Sequence, residues 1–125
     1  MNDRFKFRVW NNAAKIFVDR FTLSPDDAIC IISDKGKAYV KGNPNYTLMQ
    51  CTGLKDKNGK LIYEGDIVTG KDHFDRDRKC IVRYSETYCC YFIVGDRWSD
   101  EFMFNLYDKE VIGNIYENKE LLEVE

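Results

Sequence analysis

Apolar and polar residues alternate with a period of two in several short windows, and no window sustains the spacing of a long amphipathic helix. Phe5, Phe7 and Val9 fall on one side of an opening strand, and Lys6, Arg8 and Trp10 on the other. Asn11-Asn12-Ala13-Ala14 turns the chain, so Lys15 to Phe21 is expected as the second arm of a hairpin. Ser24-Pro25-Asp26-Asp27 offers a serine cap and a proline in the first helical position. The Ala28-Ile29-Cys30-Ile31-Ile32 run that follows is too short and too β-branched for a helix, so a single turn running into a strand is expected. Asp34-Lys35-Gly36-Lys37 then turns back into Ala38-Tyr39-Val40, and Tyr46 to Cys51 forms a further strand.

The pattern fails between Thr69 and Lys79, where Asp72, His73, Asp75, Arg76, Asp77, Arg78 and Lys79 crowd together. An exposed loop is expected there. Cys80 to Tyr84 and Tyr88 to Val94 resume as strands, the second so continuously apolar that it reads as central. Lys109 to Tyr116 is the closing strand, and Asn118 can cap one short terminal turn.

The stretch richest in turn chemistry lies mid-chain, from Gln50 to Val68. Asn58-Gly59 is a strong hairpin signal, because both residues tolerate positive φ. Leu61, Ile62 and Tyr63 restart an apolar run that Glu64-Gly65-Asp66 cuts before Ile67-Val68 continues. Gly65 is expected at a corner closed to β-branched residues, with Asp66 accepting backbone N–H groups to hold it. Gly70 carries no such expectation.

The run Met49-Gln50-Cys51-Thr52-Gly53-Leu54-Lys55-Asp56-Lys57-Asn58-Gly59, followed by Ile62-Tyr63-Glu64-Gly65-Asp66-Ile67-Val68, resembles the signature of the YopX family. Arg4 to Trp10 and Val111 to Asn118 fit the same pattern, so the resemblance covers almost the whole chain. Thr52, Gly53, Leu54, Asp56, Asn58, Gly59, Tyr63, Glu64, Gly65 and Asp66 carry the motif. Cys51 departs from it, standing where an aromatic residue is more usual. The resemblance implies a mainly β fold of coiled antiparallel sheets that includes an SH3-like barrel, with at most one or two short helical turns. It also implies a protein carried by bacteriophages and prophages, and it implies no activity. The chain then reads as a single domain: residues 1–50 a hairpin and sheet part, 51–118 a barrel-like part, and 119–125 a short C-terminal turn.

Composition narrows the function classes. The 125 residues carry a formal net charge of -2, which gives no whole-surface field for a polyanion. No apolar window approaches the ~20 residues of a membrane span, and the N-terminus has no apolar signal core. Five cysteines, Cys30, Cys51, Cys80, Cys89 and Cys90, form no C-x-x-C pair and read as free thiols of a cytoplasmic protein. Cys89 and Cys90, if both lie on a strand, point to opposite faces and do not share a metal.

Candidate chemistry is sparse. His73 stands between Asp72 and Asp75, which could orient it as a base or ligand. Glu64 and Asp66 are a possible carboxylate pair. No glycine-rich phosphate loop occurs, and Ser24, Ser33, Ser85 and Ser99 lack a nucleophile-elbow context. Lys6, Arg8 and Trp10 share one strand face, and Arg83 could join them to contact single-stranded nucleic acid. Aspartates interleaved among Arg76, Arg78 and Lys79 weaken that reading. The chain is therefore expected to be a soluble, non-enzymatic binding module with a protein partner (itself, or a phage or host factor), with no cofactor, no metal and no membrane contact. A weak nucleic-acid-binding barrel is the alternative, and an enzyme with an unrecognised site the third.

Overall fold

A computed structural model describes residues 5–24, 29–40, 42–95 and 101–122. The chain divides into two compact units, Phe7–Met49 and Met1–Lys6 with Gln50–Glu125. The described part is mainly β, its strand pairs are antiparallel, and its helical content is confined to 3-10 turns.

In the smaller unit β1 (Phe7–Asn11) pairs with β2 (Ile16–Phe17), setting Trp10 opposite Phe17. The turn between them is fixed locally. Asn11 Oδ1 accepts from the N–H groups of Ala13 and Ala14, both at 3.0 Å, and Lys15 takes a φ of 61°. The expected long second arm is not formed. β2 ends at Phe17, and Phe21 opens β3 (Phe21–Leu23), which pairs with β4 (Ile29–Ser33) in another sheet, β3-β4-β5. The polar pair Asp19-Arg20 interrupts the apolar run at that break. β5 (Gly36–Tyr39) returns antiparallel to β4 through a two-residue loop whose exit, Gly36, has a φ of 116°. The expected turn over Ser24-Pro25-Asp26-Asp27 falls mostly on residues 25–28, outside the described residues.

The unit boundary falls within β6 (Tyr46–Lys55). In the larger unit β6 pairs with β7 (Leu61–Tyr63), Cys51 against Tyr63 and Lys55 against Leu61. Three residues, Thr52, Gly53 and Leu54, thus oppose Ile62 alone, and this bulge explains the glycine: Gly53 has a φ of 85°. Thr52 secures the bulge by donating to the Ile62 carbonyl at 2.8 Å and accepting from Leu54 N–H at 3.1 Å.

Five strands form the main sheet in the order β11-β10-β9-β8-β12: β8 (Asp66–Lys71), β9 (Asp77–Ser85), β10 (Cys90–Gly95), β11 (Glu101–Phe102) and β12 (Tyr107–Asn114). β9 is the central strand, and β10, expected as central from its apolar run, lies one strand in from the β11 edge. Ile62, Val68, Cys80, Val82, Ile93, Met103 and Leu106 are buried on one side of the sheet, with Tyr91 and Val111 packed against them. Each fully buried aliphatic side chain contributes about 1.5–3 kcal/mol relative to exposure. Two register shifts along β12, between Tyr107 and Glu110 and between Val111 and Gly113, bend that edge. A 3-10 turn, Lys119–Leu122, follows. Asn118 precedes it as expected, but its Oδ1 accepts from Asn114 N–H behind it at 3.2 Å.

Candidate functional site

The mid-chain motif is a structural clasp. Asp56, 7% exposed, accepts backbone N–H groups from Asn58 and Lys60 on Oδ1 and from Val111 on Oδ2, all at 2.9 Å. The first two close the turn that Gly59 completes at a φ of 82°; the third clips that turn to β12, 55 residues away. Burial by itself would raise the Asp56 carboxyl, but the hydrogen bonds from Val111, Lys60 and Asn58 outweigh it and hold the pKa below the ordinary carboxylate value. Gly65 has a φ of 88°, its N–H donates to the Val82 carbonyl and its carbonyl accepts from Ile115 N–H. Asp66, 1% exposed, accepts Tyr63 N–H at 2.8 Å. The positive φ of Gly65 fits the expected corner, and Asp66 accepts within it. Leu54 is half exposed on the bulge.

The polar stretch departs most from expectation. β8 and β9 run through most of it, pairing Thr69 with Lys79, Gly70 with Arg78 and Lys71 with Asp77. Only residues 72–76 form a loop. Asp72 sits at its base, 8% exposed, and collects four donors: Phe74 N–H at 2.9 Å, Arg76 N–H at 3.0 Å, Arg76 Nε at 3.1 Å and Arg78 Nε at 2.8 Å. Desolvation pushes the Asp72 carboxyl up, yet the backbone N–H groups of Arg76 and Phe74 and the Arg78 guanidinium hold it far below the usual carboxylate range. Asp75, at a φ of 59°, donates its N–H to the Asp72 carbonyl and completes the tip.

With its core so tied, the tip displays aromatic and cationic side chains. Phe74 is 76% exposed, and the Arg76 guanidinium lies 4.8 Å from its ring centroid. His73, which Asp72 or Asp75 could have oriented, makes an edge-on ring contact with Tyr107 at 5.9 Å. Among the described residues no group of three or more His, Cys, Asp or Glu side chains is placed to hold a metal ion.

Beside the tip lies a groove of about 440 Å³ lined by Lys57, Thr69, Gly70, Lys71, Asp77, Arg78, Lys79 and Asp108. Each of its cations has an acceptor in the protein. Lys57 pairs with Glu110 at 3.8 Å, Lys71 with Asp77 at 2.6 Å and Arg78 with Asp72 at 2.8 Å, while Lys79 donates to the Leu121 carbonyl at 2.7 Å. Gly70 is a close-approach glycine, contrary to its unremarked place in the sequence: a Cβ there would stand 2.6 Å from the Tyr107 carbonyl oxygen.

The residues considered for nucleic acid are distributed between the units, Lys6 and Arg83 in the larger, Arg8 and Trp10 in the smaller. Trp10 is 2% exposed and packs edge-on against Phe17 at 4.9 Å, so it offers no stacking surface. Its apolar area wins burial although it shares a strand face with two cations. The Arg8 guanidinium lies over the Phe17 ring at 5.0 Å. The five cysteines are free, Cys30, Cys51 and Cys80 buried, Cys90 partly so and Cys89 exposed. The strand argument for the adjacent pair fails, because β10 begins at Cys90 and Cys89 has a left-handed φ of 52°.

The family model described as YopX protein matches residues 6–123. The crystal structure of protein EF1440 from Enterococcus faecalis is 31% identical, with 94% of this chain and 97% of that chain covered at a TM-score of 0.63. The crystal structure of protein yopX from Bacillus subtilis is 24% identical, with 98% of this chain and 100% of that chain covered at a TM-score of 0.66. Among curated proteins none matches.

Proposed function

We propose that this chain, which belongs to the YopX family, is a non-enzymatic protein-binding module whose contact element is the β8–β9 tip. The observation that carries the reading is the buried Asp72 carboxylate, which gathers four donors and fixes Phe74 and Arg76 above it. Aromatic and arginine side chains dominate binding energy at protein interfaces, and a loop held in one conformation loses little entropy on docking. Asp72 faces two guanidiniums, so the arginine pair keeps positive charge. The fitting partner is a protein surface with an apolar recess for Phe74 and a carboxylate beside it for Arg76.

The groove beside the tip supports this over nucleic acid, because Asp77, Asp108 and the Glu110 paired to Lys57 accompany its cations and oppose phosphate. The curled sheet is consistent with an SH3-like barrel, and the family with a phage or prophage accessory role in a bacterial cytoplasm. Among the described residues no helix is long and apolar enough to cross a membrane. The test is affinity capture of the tagged protein from its host, beside a Phe74→Ala variant, which leaves the Arg76–Asp72 pair in place and should keep the parent's thermal midpoint. A discrete protein held by the parent and lost from the variant supports the proposal. Equal capture by both, or capture of nucleic acid instead, overturns it.

A further inference from the structure

The Asp56 clasp closes around a chemically reactive pair. Asn58-Gly59 is the one Asn-Gly sequence in the chain. The backbone nitrogen that follows an asparagine can attack the side-chain amide, and glycine leaves that nitrogen least shielded. Both residues are exposed, and a Cβ built on Gly59 would meet nothing within 4 Å, so packing does not cover the pair.

Hydrogen bonds restrain it instead. The Gly59 nitrogen must shed its proton to attack, and that N–H donates to the Asp56 carbonyl at 3.0 Å. The Asn58 N–H donates to Asp56 Oδ1 at 2.9 Å, and Asn58 Nδ2 donates across to Glu110 Oε1 on β12 at 3.3 Å. Attacking nitrogen and side-chain amide are thus held by different partners. Ring closure requires the turn to open locally first.

We propose that Asn58 is a deamidation site guarded by the clasp, closed while Asp56 holds the turn and irreversible once used. The Gly59 nitrogen forms a bond to Asn58 Cγ, the Cγ–Nδ2 bond breaks, and ammonia leaves carrying the Gly59 proton. Water then opens the succinimide at either carbonyl, giving aspartate or isoaspartate at position 58, and no atom changes oxidation state. Either product sets an acceptor where Nδ2 donated to Glu110. Isoaspartate also adds one backbone atom ahead of the Gly59 and Lys60 N–H groups that Asp56 accepts, so the turn no longer fits its clasp.

The test compares deamidation rates of the folded full chain, the same chain unfolded in urea, and folded Asp56→Ala and Gly65→Val variants. The readouts are the mass of the peptide spanning residues 57–60 and methylation by a protein isoaspartyl methyltransferase. The unfolded chain should react at least about tenfold faster than the folded one, and Asp56→Ala should approach the unfolded rate. Gly65→Val, destabilised outside the turn, should stay within about twofold of the folded parent. Modified chains, separated by their added negative charge, should unfold at a lower urea concentration than unmodified ones. Equal rates in the folded and unfolded parent, acceleration in Gly65→Val to match Asp56→Ala, or an unchanged midpoint after modification would overturn the proposal.

Discussion

Removing the Asp56 carboxylate should unfasten the larger unit. In Asp56→Ala three backbone N–H groups lose their acceptor. Those of Asn58 and Lys60 lie in an exposed turn where water can replace the oxygen, so each costs only about 0.5–1.5 kcal/mol. That of Val111 lies in a half-buried strand, and leaving it unsatisfied costs about 1–3 kcal/mol. The expected loss is roughly 2–6 kcal/mol, a large fraction of a typical domain's ~5–15 kcal/mol. A chain of this length should lose roughly 3–5 °C per kcal/mol, or about 6–30 °C in all. Asp56→Asn keeps one acceptor oxygen and should fall between. The control is Asp34→Ala, which removes an exposed ion pair with Arg20 at 3.6 Å and should cost at most about 1 kcal/mol. The assay is urea unfolding followed by tryptophan fluorescence, with the slope compared among variants. If Asp56→Ala unfolds at the same midpoint as Asp34→Ala, the clasp is not what joins the turn to β12.

Further outcomes follow from the same structure. Gly65→Val should cost about 1–3 kcal/mol through its left-handed backbone. Gly70→Ala should also cost about 1–3 kcal/mol by driving a methyl group against the Tyr107 carbonyl, with Lys37→Ala within about 0.5 kcal/mol as reference. Asp56 and Asp72 both have folded pKa values below the ordinary carboxylate value, so their stabilisation is complete above about pH 4 and is lost as pH falls through the folded values. Acid titration of Asp72→Asn should accordingly show a shallower loss below about pH 4 than the parent; a parallel loss would remove Asp72 from that limb. Labelled single- and double-stranded oligonucleotides at about 150 mM salt should bind no more tightly than the ~10⁻⁴–10⁻⁶ M of non-specific contacts, by anisotropy. Submicromolar binding lost on Arg83→Ala would reverse that ranking.

What the sequence made legible was chemistry confined to a few neighbouring residues. Asn58-Gly59, the Gly65 corner and the role of Asp66 need only local backbone geometry, and all three are found. The failures share a different cause, in that the deciding partner is distant or the residue type is ambiguous. Asp72, amid arginines and two further aspartates, reads as one more solvated charge, because its burial is visible only once β8 and β9 pair around it. Gly70 matters through the Tyr107 carbonyl, 37 positions away, and Val111 reaches Asp56 across 55. Trp10 follows the alternation rule in phase yet is buried, since a strand covered on both faces leaves no polar side to read. At the tip the Asp72 carboxylate takes the N–H groups two and four residues on, the first of them an Asx turn, a use that its residue type permits but does not announce.

The most direct test of the tip as contact element is photo-crosslinking in the host cell from a benzophenone side chain placed at position 74, beside the same group at position 39. Phe74 and Tyr39 are almost equally exposed, at 76% and 74%, so surface access alone does not separate them. The account predicts a discrete crosslinked protein from position 74 and none from position 39. The same species from both positions, or a species from position 39 alone, would contradict it.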